Sequence, residues 1–172
     1  KRVAVVGTGA TAIQCIPPLA EDAEHVYVFQ RTPSSIDIRN NSATDPQWVK
    51  SLRAGWHQQR LDNFNQVMSG EPTDQDLIDD GWSKMAFKLM NEIQDQFRRG
   101  VELDTQALDE MLETADFNKM EAIRARVDTI VDDPKTAEAL KPYYRSLCKR
   151  PCFHDEYLST FNRDNVTLVD TD

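Results

Sequence analysis

The hydrophobic pattern of the chain changes period four times. Val3-Ala4-Val5-Val6 is a continuous apolar run of strand length, and residues 10–21 place apolar side chains at helical spacing. His25-Val26-Tyr27-Val28-Phe29-Gln30 returns to a β-rich run, and the loop RTPSSIDIRNNSATDP then interrupts both periods with Pro, Ser and Asn. From about residue 45 to residue 140 the period is helical. Trp82, Met85, Ala86, Leu89, Met90, Ile93 and Phe97 recur at i, i+3, i+4 and i+7, and Leu108, Met111, Leu112 and Ala115 repeat the pattern. Thr73 and Asp116 are candidate helix N-caps, and Asp133 followed by Pro134 reads as a third. Pro142 closes this zone. A short helix is expected after Asp155, a turn at Asn162-Arg163-Asp164-Asn165, and a last strand through Val166, Leu168 and Val169. Pro17-Pro18 conflicts with the first helix, since each ring removes a backbone donor and clashes with the preceding turn. A kink or an early end near Ile16 is predicted.

The chain has 172 residues, a formal net charge of −9 and 40% hydrophobic content, which suits one compact domain or one domain with a sizeable insertion. The acidic balance excludes nucleic acid as a general partner, because phosphate binding needs a basic face. No apolar run is long enough for a membrane span. Three cysteines, Cys15, Cys148 and Cys152, are too few for a disulfide framework, so a reducing cytoplasm is expected. The sequence starts at Lys1-Arg2 without Met and stops at VTLVDTD, and it reads as an excerpt of a longer polypeptide. Against the acidic background, Lys141, Arg145, Lys149 and Arg150 fall in a short stretch, KPYYRSLCKR, that contains no acid.

Gly7-Thr8-Gly9-Ala10-Thr11-Ala12 fits Gly-x-Gly-x-x-Ala between a strand and a helix, the context that gives this motif meaning. Gly7 permits the tight turn, Gly9 lets the backbone approach a pyrophosphate, and Ala12 is small enough for close packing of helix on strand. The first-turn N–H groups then face the anion. An NAD site would carry Asp or Glu at the end of the second strand, to accept from the ribose 2′-hydroxyl. This chain has Gln30-Arg31-Thr32 instead. Arg31 can pair with a 2′-phosphate bidentately and stack on adenine, and Thr32 adds a hydroxyl donor. The cofactor expected is NADP(H). The predicted fold is α/β: a partial Rossmann-like, NADP-binding core of three parallel strands over residues 1–38 and 141–172, with a long helical insertion, residues 39–140, between strands 2 and 3. A sheet ordered 3-2-1 leaves the first strand with an open edge, and self-association through it is expected.

Four pieces, in order, GTGATAIQCIPP, VFQRTPSS, CKRP and FNRDNVTLVDT, resemble the NADPH-binding domain, with its helical insertion, of a flavin-dependent Baeyer–Villiger monooxygenase. Together they run from Val3 to Thr171 and include the odd Gln14 and Pro17. The resemblance implies an enzyme in which NADPH reduces a bound FAD, and oxygen added to the flavin attacks a ketone or aldehyde to give an ester or lactone. It implies pyrophosphate contacts by Gly7, Gly9 and Thr11, with Thr8, Ala10 and Gln14 in the same cofactor-binding segment. Arg31, Thr32 and Lys149 would hold the 2′-phosphate end. Arg150 would be the catalytic arginine, whose guanidinium stabilises charge that develops on oxygen. The family's FAD-binding glycine motif and its linker signature with His and Trp are absent from the sequence, so FAD would be bound by a domain outside it, and the chain alone is not expected to catalyse oxygenation.

Other readings are weaker. A flavoprotein disulfide reductase would bring a redox Cys pair in its FAD domain, and Cys148 and Cys152 sit too far along the chain for that role. N- and S-oxygenating flavin enzymes match the CKRP piece less readily. Cys148, Cys152 and His154 could be read as metal ligands, but a fourth is not evident and Lys149 and Arg150 would repel the cation, so no metal is expected. A non-enzymatic NADP(H)-binding module would share the nucleotide affinity. Trp48, Trp56 and Trp82 are read as core or subdomain contacts, Tyr143 and Tyr144 as packing residues before groove-lining ones, and His154 as a neighbour of the Lys149-Arg150 pair.

Overall fold

Parallel strands cannot be joined by a tight turn and need a crossover of a dozen or more residues. The chain supplies two. A computed structural model of the protein describes residues 1–146 and 148–171, without the side chain of Met85. In it β1 (Arg2–Val6) leads through α1 (Ala10–Asp22) to β2 (His25–Gln30), and a much longer connection leads to β5 (Val166–Asp170). The sheet order is β1-β2-β5, all parallel, as the 3-2-1 expectation required. The second connection holds β3 (Ile36–Asp37), α2 (Pro46–Ser51), α3 (Trp56–Ser69), α4 (Ser83–Arg98), α5 (Thr105–Ile130), α6 (Pro134–Leu140), β4 (Cys152–Phe153) and α7 (Tyr157–Thr160). No helix among the described residues is long and apolar enough to cross a membrane.

The register, with Val5 opposite Val28 and Val28 opposite Leu168, gives the sheet one apolar inner face. Val26 and Val28 of the central strand are fully buried there with Ile13, Ile16 and Ala20 of α1, Leu158 of α7, Val127 of α5 and Leu140 of α6. Each such Val, Leu or Ile side chain contributes roughly 1.5–3 kcal/mol relative to exposure. The other face carries Ala4, Val6, Tyr27, Phe29 and Val169, and Val6 is 85% exposed.

Two compact units result. One is Lys1–Asn40 with Thr114–Asp172, and the other is Asn41–Glu113. The boundary falls inside α5, so residues 114–140, which the sequence pattern grouped with the insertion, group with the sheet. The smaller unit packs α3 with α4. There Asn63 is buried and holds the loop after α3, donating to Gln75 O (2.8 Å) and accepting from Leu77 N (2.7 Å). Trp48 and Trp56 meet edge to face at 5.9 Å while both stay partly exposed.

Three local expectations need correction. α1 neither ends nor restarts at Ile16 but runs through Pro17 and Pro18 to Asp22. Its face Ile13, Ile16, Pro17 and Ala20 is buried, and the Asn165 amide fastens its C-terminal end by donating to Ala20 O (2.8 Å) and Ala23 O (3.0 Å). Tertiary packing therefore offsets the cost of the prolines. Among the described residues Thr73 caps no helix: the start of α4 is served by Asp80, whose carboxylate accepts from Trp82 N and Ser83 N. Asp116 lies within α5, where its carboxylate has a partner far away in sequence. Asp133 with Pro134 does cap α6, accepting from Thr136 N at 2.8 Å. The periodic face of α4 is present as a helix, although its Met85 side chain lies outside the described residues.

The core makes a paired prediction. Ile16→Ala is expected to cost about 2–5 kcal/mol in urea unfolding, as a fully buried side chain in a filled core. Tyr157→Phe is expected to leave stability equal or higher, because the Tyr157 hydroxyl is buried without a hydrogen-bond partner among the described residues. A large loss in the second variant would show that the hydroxyl has a partner.

Candidate dinucleotide-binding site

The turn after β1 is built around two glycines with different reasons to exist. Gly7 has φ +96°, a conformation that side-chain-bearing residues avoid, and its N–H donates to Phe29 O at 2.8 Å. Gly9, the N-cap of α1, is extended (φ −75°, ψ −179°), and nothing lies within 4 Å of where its Cβ would be. Neither backbone nor packing demands glycine there. The space over it is open, beside a helix N-terminus that receives no side-chain cap among the described residues. Ala12 packs on the core, as its small size allows. Thr11 is exposed on the first turn and Gln14 on the next, the Gln14 amide folding back to Ala10 O at 2.9 Å.

Thr8 ties this turn to the end of β2. It is buried, donates from Oγ1 to Thr32 O at 2.9 Å, and its own carbonyl accepts from the Ser34 hydroxyl. Gln30 is fully buried, its Nε2 donating to Ala139 O at 2.7 Å, so β2 is anchored against α6 just before the chain emerges. Arg31 then stands exposed and Thr32 half-buried.

The second basic stretch reaches the same strand end through a device the sequence did not reveal. β3 and β4 form a two-stranded parallel sheet, Ile36 opposite Cys152 and Asp37 opposite Phe153, with Cys152 N donating to Ser35 O (3.1 Å) and His154 N to Asp37 O (2.9 Å). Tyr144 adds a bracket: its hydroxyl accepts from Ser35 N (3.0 Å) and donates to Pro33 O (2.9 Å), and the Lys149 ammonium lies 5.0 Å from its ring centroid. Burial pushes the Tyr144 phenol up, partly offset by the Ser35 N–H. Lys149 and Arg150 are exposed, and among the described residues no ion pair holds Arg31, Lys149 or Arg150.

α5 is the beam to which both strands are attached. Lys119 pairs with Asp37, and Arg126 reaches Ile36 O and His154 O, each at 3.4 Å. Asp116 accepts from Ser146 N (2.8 Å) and Ser146 Oγ (2.5 Å), and Arg124 donates to Pro142 O (2.8 Å). The His154 Nδ1 accepts from Glu156 N and Tyr157 N at the start of α7. The Cys152 thiol is buried and pushed up by burial, which favours the neutral form.

No family model matches the chain. Over 174 residues it is 56% identical to the Baeyer–Villiger monooxygenase ATR8 of Stachybotrys chlorohalonatus, covering 99% of this chain and 27% of that protein. Its homologues are Baeyer–Villiger monooxygenases. Among solved structures, the polycyclic ketone monooxygenase of Thermothelomyces thermophila superposes with a TM-score of 0.78 at 39% identity, over 99% of this chain and 28% of that one. OTEMO in complex with FAD and NADP superposes with a TM-score of 0.64 at 27% identity, over 99% of this chain and 32% of that one. The chain spans little more than a quarter of the length of the curated Baeyer–Villiger relatives it matches.

The bracket has its own test. Tyr144→Phe removes the hydroxyl that serves both Pro33 and Ser35, and is expected to cost about 1 kcal/mol and to speed amide exchange at Ser35. Unchanged exchange there would mean that the β3–β4 pairing holds the segment by itself.

Proposed function

We propose that the chain is the NADP(H)-binding portion of an FAD-dependent enzyme that carries out Baeyer–Villiger oxidation of a ketone or aldehyde to an ester or lactone. The observation that carries this reading is Gly9: a glycine that neither backbone nor packing requires, open to solvent at a helix N-terminus with no side-chain cap among the described residues, as close approach of a pyrophosphate demands. The names of the relatives supply the reaction class.

The residues present fit the dinucleotide. Gly7, Thr8, Gly9, Ala10 and Thr11 form the pyrophosphate cradle, with Gln14 one turn further along α1. Arg31 and Thr32 take the 2′-phosphate together with Lys149, which the Tyr144 bracket and the β3–β4 pairing hold to the same strand end. Bound NADPH supplies the hydride for the flavin, which a further part of the polypeptide would carry. Arg150 offers fixed-charge N–H donors to negative charge developing on oxygen. Substrate selection lies outside this chain, whose part is to bind and orient the dinucleotide. A reducing cytoplasm suits a chain whose three cysteines are too few for a disulfide framework.

Calorimetric titration with NADPH, NADH and 2′,5′-ADP tests the assignment. The 2′-phosphorylated ligands should bind more tightly than NADH by about 2 to 3 kcal/mol, the value of charge-assisted contacts, and Arg31→Ala or Lys149→Ala should each remove much of that difference. Equal affinity for NADPH and NADH would contradict it.

A further inference from the structure

An open groove of about 550 Å³ lies at the C-terminal ends of β2 and β5, lined by Arg31, Pro33, Lys141, Tyr143 and Asp170 among others. It falls in the size range of small-molecule sites, and in open parallel sheets ligands bind outside the carboxyl ends of the strands. We propose that the Tyr143 ring is the stacking platform for the adenine of the dinucleotide and so determines base affinity, an assignment that rests on the NADP(H) reading above.

Three observations converge on this ring. Tyr143 is 67% exposed, so packing does not account for it, contrary to the reading of the sequence. It is nevertheless held in place, because it meets Tyr144 edge to face at 6.0 Å and 83°, and Tyr144 is fixed by its bonds to Pro33 and Ser35. An aromatic surface fixed before binding loses little conformational entropy on stacking. The groove carries charges of both signs, Lys135 and Lys141 beside Glu138 and Asp170, besides Arg31. Lys141 is engaged by Asp128 (2.9 Å) and Glu138 (2.8 Å), and Asp170 presents a carboxylate that repels a phosphate but can accept from an exocyclic amine. Arg31 lines the same groove, and its planar guanidinium stacks on a purine as readily as it pairs with the 2′-phosphate. Adenine suits this surroundings: flat, uncharged, with an amino group on one edge.

The test is titration of the purified chain, wild type, Tyr143→Ala and Tyr143→Phe, with 2′,5′-ADP, NADPH and NADH, after circular dichroism shows all three folded. Tyr143→Ala should weaken 2′,5′-ADP by about ten-fold or more. Tyr143→Phe should stay within about three-fold of wild type, since it keeps the ring. The ratio of NADPH to NADH affinity should be the same in all three, because Tyr143 reads the base and not the 2′-phosphate. If the wild type binds 2′,5′-ADP and Tyr143→Ala binds it equally well, the platform is refuted and the NADP(H) reading stands. A Phe variant as weak as the Ala variant also refutes stacking. If the folded wild type binds none of the three ligands, both readings fall.

Discussion

The two-residue parallel pairing of Ile36-Asp37 with Cys152-Phe153 is the constraint on which the site depends. It joins segments on either side of the whole helical insertion, so it must offset the entropy of closing a very long loop, and a ladder this short is marginal unaided. Support comes from α5, whose Asp116, Lys119, Arg124 and Arg126 reach both partners and the loop between α6 and β4, and from the Tyr144 hydroxyl. Each hydrogen bond contributes only about 1 kcal/mol, and together they hold Tyr144, whose ring Lys149 approaches to 5.0 Å, to the segment after β2.

The same arrangement explains how an acidic chain can hold an anion. Several carboxylates of the sheet unit are drawn into ion pairs: Asp37 with Lys119, Glu121 with Arg124, and Asp128 and Glu138 with Lys141. Arg31, Lys149 and Arg150 are exposed and stand outside those pairs. A net charge of −9 describes the solubility of the whole surface, whereas binding follows the local field.

The sheet was legible in the sequence because its strands are short apolar runs bounded by Gly, Pro and Asn, and α1 because its apolar face repeats at helical spacing. The cap at Asp133 was legible because a local motif signals a local bond. Errors arose where the deciding partner was distant. Pro17-Pro18 reads as a break in isolation, and Asn165, far along the chain, is what fastens the end of that helix. Asp116 reads as a cap, yet its partner is Ser146. β3 and β4, two residues each, carry no period to detect. Arg31 and Lys149 could be proposed from motif resemblance, but the bracket connecting them involves Tyr144, whose sequence context puts packing before a place in the groove.

The most direct test of the account is amide chemical-shift mapping of the folded chain during titration with 2′,5′-ADP. The account predicts that Arg31 and Thr32 shift together with Lys149 and Arg150, with the same midpoint, as one site formed across the β3–β4 junction. Shifts confined to residues 7–14, or to one of the two basic stretches alone, would contradict it.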